Sequence, residues 1–180
     1  MATTTHSSKK APARGDGAAS LRQINAHAPE SLVTYRVSVL AQVLGRLVDA
    51  SVKQNLGLTA RQWRVLVILN RIGTSPSGEV ARMASFDHSQ VSRVALELAQ
   101  KGLITQENDP ADRRRQILAL TPAGVECLKT GVPASLERQS RFLARLTPDE
   151  YKTFCRVLDV IEDEAHQLLR EMKADGVVPR

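Results

Sequence analysis

Apolar residues recur along most of this chain at the three- and four-residue spacing of a helix. From Pro29 to Asn55, Val33, Val37, Leu40, Leu44, Leu47 and Val48 fall on one stripe. Leu32, Tyr35, Val39 and Val43 lie beside that stripe and widen the apolar surface. A helix apolar over so much of its circumference needs more than one surface to pack on, so a partner subunit is expected to cover part of it. A second helix follows in LTARQWRVLVILNRIG, where Thr59 and Gln62 have capping-box spacing and Gly73 marks the end. In TSPSGEVARMAS, Ser75 is the expected N-cap and Pro76 the first residue of a short helix reaching about Ala84. A tight turn at Ser85-Phe86 leads to Asp87, a cap with Gln90 three residues on. Val91, Val94 and Leu98 form the inner face of the helix that follows, and Gly102 is its stop.

Two short helices across a turn of three or four residues make a helix-turn-helix candidate. The apolar period then drops to two. LITQEN and QILALT alternate around the turn-rich DPADRRR, as the strands of a two-stranded hairpin would. Helix-turn-helix plus hairpin is a winged helix. Helical spacing returns from Pro122 to about Arg145, with a kink or break expected near Gly131-Val132-Pro133. Thr147-Pro148-Asp149-Glu150 opens a last helix whose stripe runs from Tyr151, Phe154 and Cys155 to Leu168, Leu169 and Met172. The predicted fold is mainly α (α+β): a winged helix-turn-helix with a two-stranded wing, flanked by long N- and C-terminal dimerisation helices. The expected segments are a disordered basic tail over 1–28 and a helical dimerisation layer over 29–57 and 122–172. The winged helix-turn-helix takes 58–121, and a C-terminal tail takes 173–180.

Charge sharpens this picture. Lys plus Arg is 25 against 19 for Asp plus Glu, a formal net charge of +6, which favours a polyanionic partner. Aromatic residues make up only 3%, too few for single-strand binding built on stacked bases. Cys127 and Cys155 fit no metal spacing and are too few for a secreted disulfide framework, so the reducing cytoplasm is the expected compartment. No apolar run is long enough to span a membrane. The opening MATTTHSSKKAPARGDGAAS has no apolar core of a signal peptide and is dominated by small and polar residues. No Gly-rich phosphate loop, HExxH or nucleophile elbow is present, so neither catalysis nor a cofactor is expected.

The candidate binding residues fall in two places. Ser89, Gln90, Ser92 and Arg93 occupy the first turns of the helix capped by Asp87, on the side away from Val91 and Val94. Short polar groups with one arginine suit base edges and phosphates in a major groove, although an ordinary solvated helix face has the same composition. His88 precedes them and is either a phosphate contact or a plain exposed histidine. Arg113, Arg114 and Arg115 stand together at the hairpin tip. Like charges that close repel, so an anion outside the chain explains them better than fold stability does. Asp112, two residues before Arg114, can orient its guanidinium through a bidentate pair, or form a surface ion pair of little consequence. Trp63 is either a core residue or one wall of a ligand pocket between the helical layer and the DNA-binding part, with Tyr35 and Arg36 as further lining. The cysteines read as small buried apolar groups, and Glu162, Asp163 and His166 as a charged solvent face rather than half of a metal site.

These segments resemble the MarR family of multiple-antibiotic-resistance-type regulators over roughly Ser31 to Leu169. The resemblance is carried by LTARQWRVL, GEVARMAS, SQVSRVALELAQKGLI and DPADRRRQILALTPAG. The last holds the family's wing pattern in Asp112, Arg114, Leu120, Thr121 and Gly124. It implies a homodimeric winged-helix transcriptional regulator of double-stranded DNA, usually a repressor at a palindromic operator that a small-molecule effector releases. Ser89, Gln90, Ser92 and Arg93 take the recognition-helix positions, Arg114 the wing arginine that enters the minor groove, and Asp112 its orienting acid. Gln106 and Ala99 depart from the family's usual arginine and glutamate, which weakens local ion pairs and leaves the DNA-reading set intact. GLTARQWRVL and DHSQVSR are similar to members that govern breakdown of aromatic acids, an implied effector class. Two alternatives stay open: a ligand-independent architectural DNA-binding protein, and a thiol- or metal-responsive sensor of the same fold.

Overall fold

The structure, a computed structural model, describes residues 28–112 and 114–177. The expected tail over 1–28 lies almost wholly outside the described residues. The chain divides into two compact units, Met1–Ala50 and Ser51–Arg180. The described part of the first is a 3-10 turn, Pro29–Ser31, and most of helix α1 (Val33–Leu56), which runs on across the boundary. Along α1 the apolar side chains stay open: Val33, Val37, Leu40, Leu44 and Leu47 are 37–53% exposed.

The second unit holds helices α2 (Ala60–Ile72), α3 (Ser77–Ala84), α4 (His88–Gln100), α5 (Pro122–Leu143) and α6 (Pro148–Ala174). Its three strands are β1 (Ser75–Pro76), β2 (Ile104–Asn108) and β3 (Gln116–Leu120). Each α2 cap group does what its sequence position predicts. The Gln62 amide donates to Thr59 Oγ1 at 3.2 Å, and the Thr59 amide donates to Gln62 Oε1 at 3.0 Å. The inner faces then meet in one core, with Val65, Leu66 and Leu69 of α2, Val80 of α3, Val91 and Leu98 of α4, and Leu118 of β3 fully buried. Burying a side chain of this size stabilises the fold by roughly 1.5–3 kcal/mol.

Two local expectations need correction. Ser75 does not cap α3. Ser75 and Pro76 instead pair with Leu118 and Ile117 as a short antiparallel strand, so the sheet has order β1-β3-β2 and the wing hairpin gains a third strand at its base. The inner edge of β3 offers this segment backbone partners, and the helix starts at Ser77 with no side-chain cap. Nor does Pro133 break α5, which runs unbroken from Pro122 to Leu143. Pro133 is exposed, on the side where the carbonyl it leaves unpaired can turn to water.

Gly131, two residues earlier, has a specific task. A Cβ there would lie 2.6 Å from the Trp63 ring and 2.7 Å from a Leu56 methyl, so only glycine lets the indole pack against α5. Trp63 is 6% exposed and is a core residue of this unit. The base of the wing is held as tightly. Thr121 Oγ1 donates to the Gly102 carbonyl at 2.7 Å and accepts from the Gly124 amide at 3.0 Å. The Thr121 amide donates to the Leu103 carbonyl at 3.1 Å. A Cβ on Gly124 would stand 2.1 Å from that same carbonyl oxygen. The Leu-Thr and Gly of the wing pattern are therefore a joint that ties the end of α4 to the start of α5. Among the described residues no helix is long and apolar enough to cross a membrane.

Gly124→Ala is expected to push the first turn of α5 off the Leu103 carbonyl. Such overpacking costs about 1–3 kcal/mol, which for a chain of this size lowers the thermal midpoint by roughly 2–10 °C. A melting curve superimposable on the parent's would show that this joint has slack.

Candidate nucleic-acid interface

Helix α4 is presented by a turn that several unrelated contacts hold. Ser85, at φ 53° and ψ 42°, is the one non-glycine residue with positive φ among those described, and it reverses the chain between α3 and α4. Arg64, on α2, braces that reversal from outside. Its Nη1 donates to the Ala84 carbonyl at 3.3 Å, and its guanidinium lies 5.4 Å from the centre of the Phe86 ring. Gln62 Nε2 donates to Glu97 Oε2 at 2.8 Å and ties the start of α2 to the middle of α4. The sequence reading missed Arg64 and Glu97. Both act across elements, where no periodicity or cap spacing signals the partner.

The cap of α4 falls where expected. The Gln90 amide donates to Asp87 Oδ1 at 2.7 Å, and Ser89 Oγ donates to the same oxygen at 2.7 Å. These bonds, the one from the Ser89 hydroxyl foremost, hold the Asp87 carboxyl below its usual range, with a smaller contribution from the charge of Arg93. His88, Ser89, Ser92 and Arg93 are exposed and Gln90 is half-buried, while Val91, Val94, Ala95 and Leu98 face the core. Over the first turns the open side of the helix is thus short and polar, while the inward side is apolar; Leu96, further along, is exposed.

At the wing tip the acids serve the backbone. Asp109 Oδ1 accepts from the Ala111 amide at 2.9 Å, and Asp112 Oδ1 accepts from the Arg114 amide at 3.0 Å. Both are Asx turns, in which an aspartate closes on the amide two residues ahead. The Asp109 amide donates to the Arg115 carbonyl at 2.9 Å, and the Arg115 amide to the Asp112 carbonyl at 2.8 Å. The bond found between Asp112 and Arg114 thus runs to the amide, and the expected bidentate pair with the guanidinium is not formed in this structure. Arg114 and Arg115 are exposed, and Arg113 lies outside the described residues. Ion pairs join Arg82 to Glu79 and Lys129 to Glu126. Arg82 is thus neutralised on its own helix, whereas Arg114 and Arg115 stand exposed at the hairpin tip and the charge of Arg93 is felt by the Asp87 carboxylate.

The remaining candidates separate. Tyr35 and Arg36 join Glu30, Val39, Leu40 and Val43 around an open, largely apolar cleft of about 510 Å³ in the first unit. Trp63 does not line it. Cys127 and Cys155 are free and half-buried rather than buried. Burial pushes the Cys127 thiol up, away from the thiolate that redox chemistry needs. Glu162, Asp163 and His166 are exposed along α6, and no group of three metal-ligating side chains occurs among the described residues.

A capped polar helix beside a cationic hairpin, on one three-helix core, defines the winged-helix class of DNA-binding folds. The MarR family model matches residues 56–115, from the end of α1 through the wing tip. A Thauera aromatica protein assigned to transcriptional regulation of the hcr operon is 37% identical over 92 residues, 51% of this chain and 55% of that one. The chain thus spans about half the length of this relative. Two solved structures share the fold at 24% identity and TM-score 0.69. The PcaV regulator of Streptomyces coelicolor, in complex with its natural ligand, aligns with 77% of this chain and 97% of its own. A MarR family regulator from that organism, in complex with DNA, aligns with 77% of this chain and 89% of its own. The match to the MarR family, a family of transcriptional regulators, thus covers the segment from the end of α1 through the wing tip, and the likeness of fold extends over most of the described chain.

Asp87→Ala is expected to lower the thermal midpoint by uncapping α4. Because the folded-state carboxyl is depressed, its contribution is fully present above the ordinary aspartate value of ~3.9 and is lost as pH falls through the lower folded value. The gap between parent and variant melts should narrow on acidification below pH ~4. A gap that stays constant down to the acid limit would show that the charge of Asp87 contributes nothing.

Proposed function

We propose that the chain is a homodimeric repressor that binds a palindromic operator, with α4 in the major groove and the wing on the minor groove. The observation that carries this is the pairing of an open polar face on the first turns of α4 with the exposed wing arginines Arg114 and Arg115, for which no ion pair is found among the described residues. Phosphates supply the missing counter-charge, and base edges suit Gln90, Ser92 and Arg93.

Dimerisation follows from exposed apolar surface. On α6, Tyr151, Phe154, Leu158, Leu168, Leu169 and Met172 are 37–49% exposed, and α1 is as open. Two long helices with apolar faces this bare need cover in water. A second copy supplies it and also doubles the DNA-reading face, matching a palindrome. In sedimentation at micromolar concentration the protein should run as a dimer; a folded monomer with undiminished DNA affinity would sink this part.

The effector is proposed as an aromatic acid. Arg36 can meet a carboxylate while Tyr35, Val39 and Leu40 enclose a ring, and the structure of PcaV, a relative in fold, holds a natural ligand. Titrating benzoate-type acids into the protein–DNA complex should release DNA saturably, and Arg36→Ala should abolish the release while DNA binding persists. Release by no such acid would favour the architectural alternative.

The wing gives the direct test of DNA contact. Arg114→Ala removes two cations from a dimeric interface, so binding should weaken on many sequences at once. The slope of log affinity against log salt should shrink by roughly 1–2, given ~0.9 per released counterion. Normal affinity with an unchanged slope would take the wing off the DNA.

A further inference from the structure

Ser89 differs from the other polar residues of the α4 face in one respect: its only proton is committed. A serine hydroxyl carries one O–H donor and two acceptor lone pairs. Ser89 Oγ stands 2.7 Å from Asp87 Oδ1, which also accepts the Gln90 amide. An ionised carboxylate only accepts, so the hydrogen bond must run from Ser89 to Asp87. Asp87 is held ionised by those same bonds. Turning the proton elsewhere would leave the Gln90 amide on Asp87 but forfeit a charge-assisted hydrogen bond, so the proton rests on the carboxylate.

We infer that Ser89 meets DNA as an obligate acceptor, and that it selects an exocyclic amino group, adenine N6 or cytosine N4, at the base it faces. This rests on the DNA-binding reading proposed above and extends it to the chemistry of one contact. In the major groove adenine N6 and cytosine N4 donate, whereas guanine N7 and O6, thymine O4 and the phosphate oxygens only accept. A hydroxyl free to rotate could serve either set. A hydroxyl whose proton points at Asp87 serves only the donors, and is repelled by acceptors and phosphates. The cap thereby makes a tolerant residue discriminating. Asp87 is the positioning residue, acting on DNA through Ser89.

The test uses the full chain and duplex DNA selected against it from a random pool. The selected duplex is then resynthesised with single-atom changes. Purine in place of adenine, or pyrimidin-2-one in place of cytosine, deletes the amino group. A 7-deazapurine deletes the N7 acceptor. For the parent protein, deleting the amino group at one base per half-site should weaken binding by about 3- to 10-fold, the size of one hydrogen bond. Ser89→Ala should be insensitive to that deletion while keeping the parent's response to 7-deazapurines. Asp87→Ser keeps an oxygen to cap α4 but frees the Ser89 proton. It should therefore lose the preference at that one base and keep the others.

Four results would overturn the inference. Loss of a 7-deazapurine response in Ser89→Ala would make Ser89 a donor. Every response intact in Ser89→Ala would place Ser89 away from the bases. An amino preference kept by Asp87→Ser, folded by circular dichroism, would free Asp87 of any role in it. Enrichment of no duplex at all would remove the DNA-binding reading itself, and the inference with it.

Discussion

The close packing of the first turn of α5 on the Leu103 carbonyl, which leaves no room for a Cβ at residue 124, is the constraint on which the placing of the hairpin depends. Leu103 lies between the end of α4 and the start of β2, so its position sets where the hairpin leaves the core. Thr121 holds that point from the other strand, through its amide to the Leu103 carbonyl and its hydroxyl to the Gly102 carbonyl. The same hydroxyl oxygen accepts the Gly124 amide and so begins α5. One side chain thus serves as strand end, loop clamp and helix cap, and it works only because residue 124 has no Cβ. The wing is a projection, but its root is among the most tightly determined parts of the chain.

The turn before α4 is determined differently, by many weak contacts in place of one close one. Ser85 adopts the left-handed conformation without being glycine, at a modest local cost. The Arg64 contacts to Ala84 and Phe86, and the link from Gln62 to Glu97, hold the helices on either side of it. A helix whose first turns leave a short polar face to solvent can be braced only from its inward side. The buried faces of α2 and α4 supply the bulk of it, and these polar links prevent rotation about that greasy contact.

Most of this was legible in the chain because it depends on local patterns. Periodicity alone places α2, α4 and α6, and caps at Thr59, Asp87, Thr121 and Thr147 are spelled by a hydroxyl or carboxylate followed by an open amide three residues on. What was not legible depends on partners distant in sequence. Ser75-Pro76 looks like a helix start until β3 is folded beside it and takes it as a strand. Pro133 looks like a break, yet it falls on the face of α5 where a lost hydrogen bond goes to water. Asp112 was paired with the guanidinium of Arg114, whereas the bond found runs to its amide, which the same two-residue spacing also suits. Trp63 was open between core and pocket, and Gly131, some seventy residues away in sequence, decides for the core.

That the wing-tip acids close on backbone amides separates the shape of the loop from its charge. Asparagine carries the same acceptor oxygen at the same reach, so at positions 109 and 112 the Asx turns can persist with the carboxylates gone. Each such exchange raises the charge of the tip by one without moving the arginines. On the function proposed above, a lineage could therefore tighten or relax its grip on nucleic acid in unit steps of charge, leaving α4 untouched. Grip and choice would then evolve on separate residues.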